Sequence, residues 1–175
     1  CSIDQVYLYK NSNNWKTFHT SLGASYSMEL NTTVQGENNG SALWNSTAPT
    51  SSVFTVGSAG DVNSSSHTYI AYLFASVTGV SKIGSYTGNG STQTIDCGFS
   101  PRFILSKKSV NGTGGWLVFD TERGIVSGND PYILLNTTDA ENTGADTIDL
   151  VTNGFTVNDG NTNSNGDTYI FYAIA

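Results

Sequence analysis

The chain has 175 residues, of which Asn, Ser, Thr and Gly make up close to half and charged side chains only 12%. Those four residue types rank poorly in helix interiors, and a 37% hydrophobic share gathered into short runs of Tyr, Phe, Val and Ile excludes disorder, which leaves an all-β protein with polar loops. Seven basic against fourteen acidic side chains, and no apolar run near the ~20 residues that span a bilayer, exclude a nucleic-acid partner and membrane insertion.

In chain order, Cys1-Ser2 is how a mature bacterial lipoprotein begins, but Val6-Tyr7-Leu8-Tyr9 already reads as a strand with no tether before it, which favours a piece of a longer chain. His19 and His67 are expected as solvated strand-end residues, since neither stands in a nucleophile motif. Trp44, within Gly40-Ser41-Ala42-Leu43-Trp44-Asn45-Ser46, is the candidate ligand-binding platform for a sugar ring or a partner protein. Residues 68–75 and 168–175 are continuous apolar and aromatic runs, expected as central strands buried on both faces. Lys82-Ile83-Gly84-Ser85-Tyr86 and Thr92-Gln93-Thr94-Ile95-Asp96 are strand-like, with Gly88-Asn89-Gly90 between them. Short runs at 102–107, 116–121 and 132–136 read as strands. A hairpin is expected to join 148–151 to 155–157 through Thr152-Asn153-Gly154, where Asn-Gly supplies positive φ, and 158–166 reads as a loop.

Few residues could carry chemistry. Asp120 and Glu122 beside Arg123 could be a carboxylate pair for glycoside hydrolysis, which needs two such groups ~5 to 9 Å apart, or an ion pair fastening a turn, which is the favoured reading. Asn161-x-Asn163-x-Asn165-Gly166 has the spacing of half a calcium loop, but Tyr172 stands where the bidentate Glu belongs. Cys1 and Cys97 are too few for a disulfide scaffold and too far apart for a zinc pattern. Seven Asn-x-Ser/Thr sequons, from Asn31 to Asn136, are weak signals in a chain this rich in their components. The expectation is a non-enzymatic chain with no catalytic residue, metal or cofactor.

The sequence also repeats itself. Trp15, Phe18, Thr20 and Gly23 match Trp116, Phe119, Thr121 and Gly124 at a shift of 101, as Phe54-Thr55-Val56 matches Phe155-Thr156-Val157. Leu30-Asn31-Thr32-Thr33 recurs as Leu135-Asn136-Thr137-Thr138, and Thr68-Tyr69-Ile70 with Tyr72 recurs as Thr168-Tyr169-Ile170 with Tyr172. Residues 6–10 are paired with 103–107, which sets Cys1 within about one residue of the equivalent of Cys97. His19 and His67 then align with Asp120 and Asp167, so neither position keeps an imidazole, while Trp15 and Trp116 match and read as core; Trp44 has no aromatic counterpart. The predicted architecture is two tandem homologous β-sandwich, jelly-roll-like units, residues 1–77 and 78–175, the first lacking its opening strands. An unpaired sheet edge is a hazard, so the amino-terminal edge is expected to pair with another segment.

Residues 97–107, Cys97-Gly98-Phe99-Ser100-Pro101-Arg102-Phe103-Ile104-Leu105-Ser106-Lys107, followed by Gly115-Trp116-Leu117-Val118-Phe119-Asp120-Thr121-Glu122-Arg123-Gly124, resemble a module of tail-fibre and virion-surface proteins of tailed phages, especially marine and cyanobacterial ones. Leu134-Leu135-Asn136-Thr137-Thr138-Asp139-Ala140-Glu141, Gly154-Phe155-Thr156 and the closing Thr168-Tyr169-Ile170-Phe171-Tyr172-Ala173 follow in that module's order. The first copy lacks the Gly-Phe-x-Pro opening, the Asp and Arg around the Trp strand, and the Ala-Glu stretch. The resemblance implies a β-rich structural or attachment role on a virion, and carries over no catalytic residue.

The leading expectation is therefore a tail-fibre or capsid-surface component, located on a virion or outside the cell. Its expected partners are other virion proteins, further copies of itself, with a trimer suiting a fibre, and a glycan or protein of the host surface. The competing readings are a carbohydrate-binding module that uses Trp44, and a subunit of a self-assembling extracellular filament that exchanges strands.

Overall fold

The computed structural model describes residues 1–175. β-branched and aromatic runs bounded by Gly, Asn and Ser form strands, and these build three antiparallel sheets stacked as an all-β sandwich. The first sheet has the order β4-β3-β2-β1-β5, from β1 (Gln5–Lys10), β2 (Lys16–His19), β3 (Tyr26–Glu29), β4 (Glu37–Asn38) and β5 (Tyr69–Phe74). The second has the order β10-β9-β8-β13-β6, from β6 (Ser81–Thr87), β8 (Phe103–Val110), β9 (Trp116–Asp120), β10 (Ile133–Leu134) and β13 (Thr168–Ile174). The third is β11-β12-β7, from β7 (Gln93–Asp96), β11 (Ile148–Val151) and β12 (Gly154–Val157). Two single-turn helices, α1 (Gly60–Asn63) and α2 (Gly160–Asn163), precede β5 and β13.

Period-two alternation explains the stacking. Tyr7, Thr17 and Met28 are neighbours on one face of the first sheet, and Val118, Leu105 and Tyr172 on one face of the second. Those faces meet, and Tyr7, Met28, Leu105, Trp116, Val118 and Ile170 form a central core. The opposite face of the second sheet packs Ile104, Phe119 and Phe171 onto Ile95, Phe155 and Val157 of the third. The opposite face of the first sheet packs Val6, Leu8 and Phe18 under an irregular layer that supplies Leu43, Trp44 and Val62. The second sheet is thus buried on both faces, which is why β13 reads as an unbroken apolar run.

The two five-stranded sheets run β3-β2-β1-β5 and β10-β9-β8-β13 through segments that match in sequence. Beyond β13 the second sheet adds β6, whereas beyond β5 the first adds nothing. The matching hydrogen bonds correct one pairing drawn from sequence. Asp4 donates its N–H to Phe74 and accepts from Thr20 as Arg102 does with Ile174 and Thr121, and Val6 faces Phe18 as Ile104 faces Phe119. Residue 6 therefore corresponds to 104, not 103, and Cys1 to Phe99 rather than to a neighbour of Cys97. A one-residue slip exchanges the two faces of a strand, and apolar residues on both faces of β8 hide it in the sequence.

Three local expectations also change. Residues 68–75 are not a central strand: Ile70, Tyr72 and Leu73 are 45%, 49% and 46% exposed because nothing pairs with the outer edge of β5. The β11–β12 hairpin turns on Thr152 and Asn153 without positive φ, and Gly154 lies inside β12, where a Cβ would run into the Ile95 carbonyl. The expected loop at 158–166 contains α2, capped by Asp159, whose carboxylate accepts from Asn161 N–H and Thr162 N–H.

Candidate functional site

Trp44 is not a platform. It is 2% exposed and points from the irregular layer onto Phe18, edge to face at 6.0 Å, so its ring is core and offers no face to a ligand. The absence of a counterpart reflects two different ways of covering a sheet: loop residues over the first, the β11-β12-β7 sheet over the second.

His19 is not solvated either. It lies fully buried in β2 on the face toward the second sheet, its Nδ1 accepting from the Ser21 N–H at 3.1 Å. Burial lowers its pKa to about 4, opposed by the Phe171 backbone and the Asp4 carboxylate. His67 is exposed, with its Nδ1 3.0 Å from Ser64 Oγ. Sequence reasoning passed over Lys107, which is sealed between the same sheets and donates from Nζ to the Thr33 carbonyl at 3.0 Å and the Gly114 carbonyl at 2.6 Å. Burial, then the charge of Lys108, lowers its pKa to about 8. Its interior place follows from the β8 register, since Lys107 shares a face with Leu105, and only the structure reveals that the face is covered.

The charged cluster is a fastening. Asp120 accepts from the Arg123 N–H at 2.8 Å and pairs with its guanidinium, which reaches Glu141 at 3.0 Å through Nε, while Glu122 turns to Arg102 at 3.3 Å. Cys97 is a buried free thiol whose pKa rises to about 11, chiefly through burial and then beside Asp96, so it is protonated near neutrality. Asn163 has no coordination left for a cation: Oδ1 accepts from Asn89 N–H at 2.9 Å and Gln93 Nε2 at 2.8 Å, and Nδ2 donates to Ser91 O at 2.6 Å and Val157 O at 3.2 Å. The largest depression, about 400 Å³, lies between Leu22, Tyr26, Gln35 and Val110, and one of about 170 Å³ lies between Lys108, Gly115, Leu134 and Asn161.

What the structure does leave open is the flank of the first sheet. Tyr69 and Tyr169 are held alike, each hydroxyl accepting from the N–H of Ser64 or Ser164 and donating to the carbonyl of Gly60 or Gly160. Tyr169 is then fully buried by stacking on Tyr86 of β6 at 5.2 Å, whereas Tyr69 has no such cover. Asn63 donates to Gly57 O as Asn163 does to Val157 O, yet Asn63 is exposed and its Oδ1 meets no protein donor. Residues 54–56 lie part-buried against the core of the first sheet and make no backbone hydrogen bond, the next residue Gly57 donating to the Leu43 carbonyl at 2.6 Å, while their match in sequence, Phe155 to Val157, pairs with both β11 and β7.

Among known families, the model for a domain of unknown function, DUF7483, matches residues 5–175. Comparison with curated proteins and with solved structures gives no match.

Proposed function

This chain belongs to the DUF7483 family, and we propose that it is a non-enzymatic structural module of a virion surface, a tail-fibre or capsid-surface component with a part in host attachment. One observation carries the reading: the polar residues of the phage-like motif are bonded to one another and hold the fold. The Asn136 side chain accepts from the Trp116 N–H at 2.7 Å, as Asn31 accepts from Trp15 at 2.9 Å. Trp116 Nε1 crosses to the Glu29 carbonyl at 2.9 Å and ties the two large sheets together. Asp120, Arg123 and Glu141 brace the turn after β9.

The groups best suited to acid–base work, His19 and Lys107, are enclosed between layers, where they act on packing rather than on a substrate. A carbohydrate-binding module built on Trp44 loses its platform. Rigid layers joined by uncharged polar loops suit a surface part that binds through many weak contacts. Gold-labelled antibody against the folded chain, applied to purified particles from its source, is expected to decorate their surface. Label recovered only with soluble protein, and none on particles, overturns the proposal.

A further inference from the structure

We infer that the open flank of the first sheet is an acceptor for one extended segment of β6–β7 chemistry: a largely polar, β-forming stretch of about sixteen residues that adds a strand to β5, turns, and adds a second strand to residues 54–56. The inference rests on reading the two halves as copies, and goes beyond the virion assignment. In the second half, residues 81–96 do three things at once. β6 pairs along the whole of β13, the Gly88 to Ser91 turn bonds to Asn163, and β7 pairs with β12. In the first half the corresponding receivers are all in place: the outer edge of β5 and Asn63 Oδ1 are open, the Tyr69 ring is only part-buried, and the part-buried backbone of residues 54–56 is unpaired. A random edge would not present four separate receivers in the arrangement that a single segment satisfies elsewhere in the same molecule.

The receivers also state what the segment must look like. Ile70, Tyr72 and Leu73 offer apolar contact on both faces of β5, and Asn63 requires a donor such as Gln93. One feature must differ. Gly84 of β6 lies under the Phe171 ring, where a Cβ would come within 2.8 Å of the ring, but the first half has Ala71 at that place. A β-branched residue there would fill the space that Phe171 occupies in the second half.

A synthetic peptide of residues 81–96 is the probe, added to the intact chain and followed by calorimetry and hydrogen exchange. Saturable one-to-one binding is expected, with new protection at Tyr69 to Phe74 and at residues 54–56. A Gly84→Val peptide is expected to bind more tightly than the parent. An Asn63→Ala chain is expected to bind about tenfold more weakly, the size of one or two lost hydrogen bonds, and circular dichroism checks that it is folded. A peptide with Tyr86→Pro is expected not to bind, because the Ile83 N–H turns outward to Ser76 Oγ and alternation therefore sets Tyr86, not Ile83, toward the ladder, where a proline removes a donor. No protection of β5 at millimolar peptide, or a Gly84→Val peptide that binds more weakly, overturns the inference. So does dimerisation of the chain alone through β5, which would make a second copy the occupant.

Discussion

β13 and β5 are the same kind of strand in two circumstances. Each follows a single-turn helix, each carries Tyr whose hydroxyl is anchored to that helix, and each pairs with a central strand, β8 or β1. β13 has a neighbour on its other side, so Ile170 and Ala173 are at most 1% exposed; β5 has none, and Ile70 and Leu73 are 45% and 46% exposed. Burial of a strand is thus decided less by its own residues than by whether a second ladder closes over it. The comparison also separates the contributions of packing and pairing, because matched side chains can be removed from a covered and an uncovered setting in one molecule.

The largest contrast is expected at the matched tryptophans. Trp116 is 1% exposed between the two large sheets and bonded to Glu29, whereas Trp15 is part-exposed and stacks on Tyr9 at 4.6 Å and Tyr72 at 5.9 Å. Trp116→Ala should lower the stability measured by urea unfolding by about 3–5 kcal/mol, and Trp15→Ala by about 1 kcal/mol. Equal losses would mean that the two flanks are equally closed in solution.

Next come the matched asparagines. Asn163→Ala removes a buried side chain that satisfies the turn between β6 and β7, and should cost about 2–3 kcal/mol, against less than about 1 kcal/mol for Asn63→Ala, where water replaces the protein. If Asn163→Ala costs no more than its partner, the turn is not held by this amide.

His19 gives a comparison between pH values. Its folded pKa of about 4 lies below the unfolded 6.5, so the unfolded chain binds more protons between those values and stability falls as pH drops through that window. From pH 7.5 to 5 the loss from this residue is about 2 kcal/mol. His19→Gln should flatten that part of the stability profile; an unchanged slope would show that the imidazole does not stay neutral and enclosed.

The main frame of this fold is legible in the sequence, and its failures have physical causes. The aromatic and β-branched runs at 103–107, 116–120 and 168–174 announce strands because such residues fit a pleated, buried surface. Burial is not legible in the same way. Residues 69–74 look like 169–174, yet one strand is exposed and the other enclosed, since the difference lies in residues 81–87 and not in either run. Trp44 has no match elsewhere, and a missing counterpart reads equally as a ligand site or as a different lid. Lys107 and His19 look like surface residues until the register assigns them to the face between the sheets.

The smallest effect is the most direct test of the open flank. Tyr169→Phe leaves the Ser164 N–H without its partner beside the Tyr86 ring that stacks on residue 169, while the Gly160 carbonyl keeps Ser164 Oγ at 2.7 Å, and should cost about 1–2 kcal/mol. Tyr69→Phe breaks the same two bonds at Ser64 and Gly60, but beside solvent that can replace them, so its cost should be about 0.5 kcal/mol or less. Because the two hydroxyls make matching bonds and each carbonyl keeps a second donor, Lys10 Nζ on Gly60 and Ser164 Oγ on Gly160, the difference between the two losses measures chiefly the cover. Repeating the pair with the 81–96 peptide bound should raise the cost of Tyr69→Phe toward that of Tyr169→Phe. A gap that stays unchanged would mean that whatever the peptide touches, it does not close over β5.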